Sequence, residues 1–371
     1  MTKAAELAKM GEVLTNSQIG GKRNMIINGG MNVFQRSTSA TDLGASSGYF
    51  SADRFKIFSN TSGRVTMSQS SDTPNGFGNS LKIDVTTADT SIASDELFIL
   101  SYAMEGQDAQ MIKKGTSEAE SLTMSFYAKA NASANYVVEM YDQDNTRNNT
   151  QAFTVTSSWQ RFSFTFVPDT TGALDDDNAL SFYPIQIWLH GGSNYTSGTF
   201  ASNTWGSVTN ANRYAGSRTS IFDSTDREFY VTGVQVEVGS QATPFEHRSF
   251  GEELALCQRY YERYETSGAN YARFGLFQCT STTTAFGAID YKVSKRSASV
   301  TLDTELTRLA LSDSDNSMLP VTAIAIDSNC NSFENTSVTI TASGGGLVAG
   351  ECTQLLSENV NNGYIAIDAE L

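Results

Sequence analysis

Histidine and cysteine are scarce, with two and four residues in a chain of 371. Cys257, Cys279, Cys330 and Cys352 stand far apart, with no Cys-x-x-Cys pair and no histidine nearby, so no zinc site is expected and buried free thiols are the default. A Ser-His-Asp constellation is equally short of material, and His190 and His247 read as structural residues. Basic charge is scarce too: 25 Lys and Arg stand against 40 Asp and Glu, a net charge of −15. A field of that sign repels phosphate, so neither nucleic acid nor an anionic membrane is an expected partner. No run approaches the ~18 apolar residues of a spanning helix, and the opening Met1–Leu7 lacks the unbroken apolar core of a signal peptide. Membrane insertion is not expected, and synthesis is expected in a cytoplasm.

The residues that are present are 39% hydrophobic and 11% aromatic, enough at this length for two packed domains. With only 18% charged residues, the surface must be covered largely by Ser, Thr and Asn. Residues 1–21 differ from the rest: Leu7, Met10, Val13 and Leu14 fall at helical spacings among Lys and Glu. They predict a short amphipathic helix, marginal alone and therefore read as a docking peptide. Residues 22–249 alternate instead. Leu81, Ile83 and Val85, then Tyr136, Val138 and Met140, then Phe162, Phe164 and Phe166 each put apolar side chains on one strand face. Turn formers separate these segments, which predicts an antiparallel sandwich. The polar stretch Gly191–Ser220 is long for a connection inside a domain, and such loops are more often functional than incidental.

Acidic residues Glu252 and Glu253 open a second predicted helix over Gly251–Glu265, within a linker of residues 250–268. Phe250, Leu254, Cys257, Tyr261 and Tyr264 are spaced close to a coiled-coil period, so Leu254, Cys257, Tyr261 and Tyr264 are candidates for a neck between subunits. A linker helix packed on its own domain is the alternative. Residues 269–371 alternate again. The expected architecture is all-β: a short N-terminal helix, a jelly-roll β-sandwich, a short helix and a second, smaller C-terminal β-sandwich.

Three motifs carry a resemblance. The segment Lys22–Arg36 with Ser51–Phe55, the run Val234–Glu262 and the ending Tyr364–Leu371 resemble, in order, segments of a family of bacteriophage virion proteins described as tail fibre or tail proteins. Leu122–Ala130 and Ser158–Phe162 resemble strands of the carbohydrate-binding jelly roll. The resemblance implies a virion protein whose N-terminus engages tail or head structural proteins and which meets a host surface glycan or protein through either β domain. The jelly-roll likeness implies a fold more firmly than a ligand, because sites are grafted on folds.

A glycan hydrolase needs two facing carboxylates, but Asp142 with Asp144, Asp175–Asp177, Asp223 with Asp226 and Asp313 with Asp315 all read as solvated turns. A structural calcium is an open alternative for such loops, with no ligand set assigned. Asp53-Arg54 reads as structural, and Trp159 as a core residue. Aromatic residues give the better signal. If Ile185, Ile187 and Leu189 point inward, Gln186, Trp188 and His190 lie on the opposite face, where an exposed indole stacks on a sugar ring. Trp205, Tyr195 and Tyr214 in the polar loop complete the candidate glycan platform.

These readings describe a non-enzymatic structural protein of a virion, most simply a tail fibre that adheres to the host. A head fibre or capsid decoration protein and a glycan-degrading depolymerase are the alternatives. A homotrimer is expected, since symmetry would bury sheet edges and multiply weak contacts. No cofactor is assigned.

Overall fold

The computed structural model describes residues 3–4, 23–175, 179, 182–266, 268–312, 315 and 317–370. Leu7, Met10, Val13 and Leu14, the candidate docking residues, lie outside the described residues. Two compact units divide the chain, one ending at Glu253 and the other beginning at Leu254.

In the first unit two antiparallel sheets form a jelly-roll β-sandwich. The six-stranded sheet runs, edge to edge, Ser39–Leu43, Arg64–Ser70, Ser80–Thr87, Glu228–Val238, Leu122–Ala130 and Gln160–Phe166. The seven-stranded sheet runs Gly206–Ser207, Arg147–Val155, Ala134–Asp142, Phe182–Gly191, Leu97–Glu105, Phe55–Asn60 and Gly48–Tyr49. The alternation explains the layers. Leu81, Ile83 and Val85 face inward from one sheet and Tyr136, Val138 and Met140 from the other, all fully or nearly fully buried. The layers meet at Tyr136 and Phe229, whose rings cross edge-on at 5.6 Å between centroids.

Two of the segments named in the sequence, Lys22–Arg36 and Val234–Glu262, are joined by hydrogen bonds at the sandwich. Asn24 Nδ2 donates to the Val234 carbonyl (3.2 Å), the Asn24 amide donates to Glu246 Oε2 (2.7 Å), and the Asn28 amide donates to Glu253 Oε1 (2.6 Å). Arg248 donates to the carbonyls of Asn24 and Ile26. Gly29 is required by this close approach: a Cβ there would stand 2.0 Å from the Val234 carbonyl oxygen. Gly233 supplies the positive φ (63°) at a bulge in the strand Glu228–Val238. Asp53 and Arg54 are structural as expected: Asp53 accepts from the Gln35 amide, and buried Arg54 donates to the Ala103 carbonyl.

The second unit takes the smaller β domain further than alternation specifies. Strands Arg273–Cys279, Thr284–Asp290, Asn335–Ala342, Met318–Ile326, Leu309–Ser312 and Cys352–Ser357 close into a barrel, so the expected C-terminal sandwich has the form of a six-stranded barrel beside a three-stranded sheet. That sheet is Tyr261–Glu265, Tyr364–Asp368 and Thr301–Thr304. Phe277, Leu309, Leu311, Val338, Ile340 and Leu355 fill the core.

The structure does not form the expected neck. The helix covers Phe250–Gln258 only, and the chain continues as the strand Tyr261–Glu265. Leu254 and Cys257 therefore lie on the helix and Tyr261 and Tyr264 on a strand, so the four share no helical seam. Cys257 and Tyr261 have no exposed surface. Tyr261 donates to Asp303 Oδ2 (2.8 Å) and Tyr264 to the Asp290 carbonyl (2.7 Å), so both hydroxyls are engaged within this unit. All four cysteines are free thiols, but only Cys257 and Cys279 are buried.

Candidate functional site

The outer face of the seven-stranded sheet brings together most of the expected aromatic platform. Gln186 and Trp188 do point outward, opposite Ile185 and Ile187, as the alternation requires. A bulge between Trp188 and His190 then breaks the period and pairs His190 with Phe98, turning it inward against Phe222 at 5.3 Å. His190 is therefore not on the platform.

Trp188 is not exposed either. The polar loop after it folds back in two single-turn helices, Ser193–Thr196 and Asn210–Arg213, fastened by Tyr214 N–H to the Tyr195 carbonyl (2.9 Å) and Gly198 N–H to the Ala211 carbonyl (2.8 Å). Tyr195 and Tyr214 lie against the indole with centroids at 5.4 and 5.9 Å. Trp188 and Tyr214 thus have essentially no exposed surface and form the loop's own small core, so neither stacks on a ligand; Tyr195 stays half-buried at its edge. The Tyr214 hydroxyl donates to the Thr219 carbonyl (2.7 Å), and burial pushes its pKa well above the usual phenol value.

Beside them lies a polar cluster that sequence reasoning missed. Fully buried Glu139 accepts from Trp188 Nε1 (2.6 Å), Asn148 Nδ2 (2.6 Å) and Arg213, whose Nε and Nη2 reach the two carboxylate oxygens at 2.9 and 2.8 Å. Arg213 also donates to Gln186 Oε1 (3.2 Å), and its guanidinium lies over the rings of Tyr141 (5.1 Å) and Trp188 (4.7 Å). Burial works against the guanidinium charge, but the Glu139 carboxylate outweighs it, so the Arg213 pKa is raised. The carboxylate is held by three partners and fixes Arg213 in place. What faces outward is the half-buried set Tyr141, Asn148, Arg213 and Tyr195, polar groups in fixed positions beside aromatic rings. The only signal available beforehand was the outward register of Glu139 and Tyr141 along their strand.

Trp205 is separate from this group. Its Nε1 donates to the Val167 carbonyl (2.8 Å), and its ring packs near Tyr183 (6.5 Å) and Lys114 (5.5 Å) in a small pocket also lined by Asp169 and Phe166. Lys114 there is buried with Asp142 and Asp169. Asp142 is thus an internal ion-pair partner, a correction to the solvated-turn reading. Asp223 behaves as expected, exposed and paired with Arg227 at 2.6 Å. Asp176, Asp177 and Asp313 lie outside the described residues. Trp159 is not a core residue: it is half-exposed on the outside of the other sheet, its Nε1 donating to Asp72 Oδ1 at 2.9 Å.

No protein-family model and no curated protein sequence matches this chain. Among solved structures, it is similar to one described as "CBM4 structure and function" (14% identity, TM-score 0.30, covering 57% of this chain and 97% of that one). It is similar also to a family 11 carbohydrate-binding module from Clostridium thermocellum in complex with a mixed-linked tetrasaccharide (15%, TM-score 0.27, 56% and 99%). A third is the CBM22-1 xylan-binding domain from Paenibacillus barcinonensis (10%, TM-score 0.28, 60% and 100%). At these TM-scores the likeness transfers no binding site to this chain.

Proposed function

We propose that this chain is a non-catalytic glycan-binding protein of a bacteriophage particle, a tail fibre that contacts the host surface. The glycan reading rests on one observation: Tyr141, Asn148, Arg213 and Tyr195 stand side by side on the outer face of the seven-stranded sheet, with Arg213 immobilised by Glu139. Fixed donors beside an aromatic ring suit a sugar, whose hydroxyls need hydrogen-bond partners and whose C–H face packs on a π surface. The virion reading rests on the three sequence motifs, and a head fibre or decoration protein remains its alternative. A homotrimer would multiply a weak site, since linked copies bind at high effective concentration.

The test is retention of the full-length protein on immobilised bacterial surface polysaccharides, comparing wild type with Tyr141→Ala/Tyr195→Ala. Saturable retention that drops at least tenfold in the double variant supports the site; no retention on any polysaccharide, or equal retention, overturns it. Shortening of the polysaccharide during incubation would replace the binding reading with a depolymerase. Gold-labelled antibody against the chain, applied to particles, addresses the location. Tail labelling supports the fibre, head labelling favours the decoration protein, and unlabelled particles overturn the virion reading.

A further inference from the structure

Asp89, Glu96 and His190 come together at one end of the sandwich, all buried, each with one donor atom within 4.8 Å of the other two. The two carboxylates lie against each other, and the chain gives each two donors. Asp89 accepts from the Ser91 amide (3.1 Å) and the Thr61 hydroxyl (3.3 Å), and Glu96 accepts from the amides of Ser62 (3.3 Å) and Ala93 (3.2 Å). Among the described residues neither forms an ion pair with Lys or Arg, so two adjacent buried carboxylates lie without a fixed positive partner. His190 has no exposed surface, and its Nε2 has no hydrogen-bond partner while standing 3.6 Å from Glu96 Oε2. Its other nitrogen, Nδ1, is 2.7 Å from the Ser220 hydroxyl oxygen, which already accepts from the Phe222 amide (3.0 Å). In the tautomer in which Nδ1 donates to Ser220, Nε2 presents a lone pair to the carboxylates. Three electron-pair donors then face one another.

We propose that Asp89, Glu96 and His190 hold a divalent first-row transition metal of the zinc class. One imidazole and two carboxylates match its borderline donor preference, whereas calcium takes oxygen alone. The Nδ1 contact to Ser220 is the kind of second hydrogen bond that orients a metal-bound histidine. The site goes beyond what the scattered cysteines led one to expect, because its ligands are acidic residues that the fold, and not the spacing, delivers to a histidine. Its role is mechanical. The Gly192 amide donates to the Glu96 carbonyl and the Asn194 amide to the Ser94 carbonyl, both at 2.8 Å, so a metal would pin the root of the loop that carries Tyr195 and Arg213.

The experiment uses full-length protein stripped by chelator and titrated calorimetrically with Zn²⁺, and separately with Co²⁺ followed by its visible spectrum. One equivalent of Zn²⁺ per chain, a Co²⁺ spectrum with nitrogen and oxygen ligation, and loss of both in Glu96→Gln and His190→Ala support the site. His247→Ala, which changes the other histidine, should keep the full equivalent. Should His190→Ala fail to fold, the near-isosteric Glu96→Gln and Asp89→Asn give the same reading. Absence of saturable uptake, uptake unchanged in these variants, or preference for Ca²⁺ over Zn²⁺ overturns the proposal.

Discussion

Trp188 Nε1 donates to Glu139 Oε2 at 2.6 Å, and neither side chain has exposed surface. The pair turns an outward-facing strand position into interior. A tryptophan and a carboxylate on adjacent strands would be poorly tolerated under water-free packing alone, but each satisfies the other, and the loop Gly191–Ser220 closes over them. The loop's size is thereby explained: it covers an indole and delivers Arg213 to the carboxylate.

Trp188→Ala is therefore a stability variant. Removing the indole opens a cavity under Tyr195 and Tyr214 and deletes one donor to Glu139, with an expected cost of about 3–5 kcal/mol. Denaturant unfolding of wild type and variant gives the number. A loss below about 1 kcal/mol would mean that the loop does not seal the residue.

Arg213→Ala should cost about 3–5 kcal/mol, because it leaves the buried Glu139 carboxylate without its counter-charge. Adding Glu139→Gln removes that charge and should restore part of the loss, as a double-mutant cycle would show. If the two single losses simply add, the guanidinium and carboxylate are not coupled as the geometry requires.

A second buried ion cluster sets an acid limit. Asp169 lies against Lys114 (3.1 Å) and Arg147 (2.9 Å). Burial alone would raise its pKa, but the hydrogen bonds from Arg147 and Lys114 outweigh it and hold the group below its usual 3.8. A carboxyl depressed in the folded state adds stability above the unfolded pKa and loses it as pH falls through the folded one. Asp169→Asn should therefore be less stable by about 2 kcal/mol at pH 7, with the gap to wild type narrowing below about pH 4. Thermal unfolding from pH 7 to pH 2 measures it, and a constant gap would exclude the ionised carboxylate as the cause.

The layers were legible because strand burial writes a period of two into the sequence. Phe162, Phe164 and Phe166, or Val234 and Val236, could hardly do otherwise. The same period put Trp188 on the outer face correctly. What it could not carry was the covering loop, or the bulge that turns His190 inward toward Asp89 and Glu96, since a bulge depends on pairing with a distant strand. The helix at Phe250 failed for a related reason: apolar residues four and three apart also fit a helix that stops at Gln258 and a strand that starts at Tyr261. Local spacing is silent about which long-range partner claims each residue.

Tyr261 separates the two readings of that segment. As a seam residue its hydroxyl would lie at a subunit boundary, and losing it would act on association. In the fold it is fully buried and donates to Asp303 Oδ2 at 2.8 Å from a strand paired residue by residue with Tyr364–Asp368. Tyr261→Phe keeps the ring and removes one hydrogen bond to a carboxylate, so the expected loss is about 1–3 kcal/mol in unfolding of the C-terminal unit. The molar mass of the full-length protein by light scattering should not change, whatever its oligomeric state. A variant that unfolds like wild type yet dissociates would return Tyr261 to an interface between subunits, because only there would the hydroxyl act on association without acting on the fold.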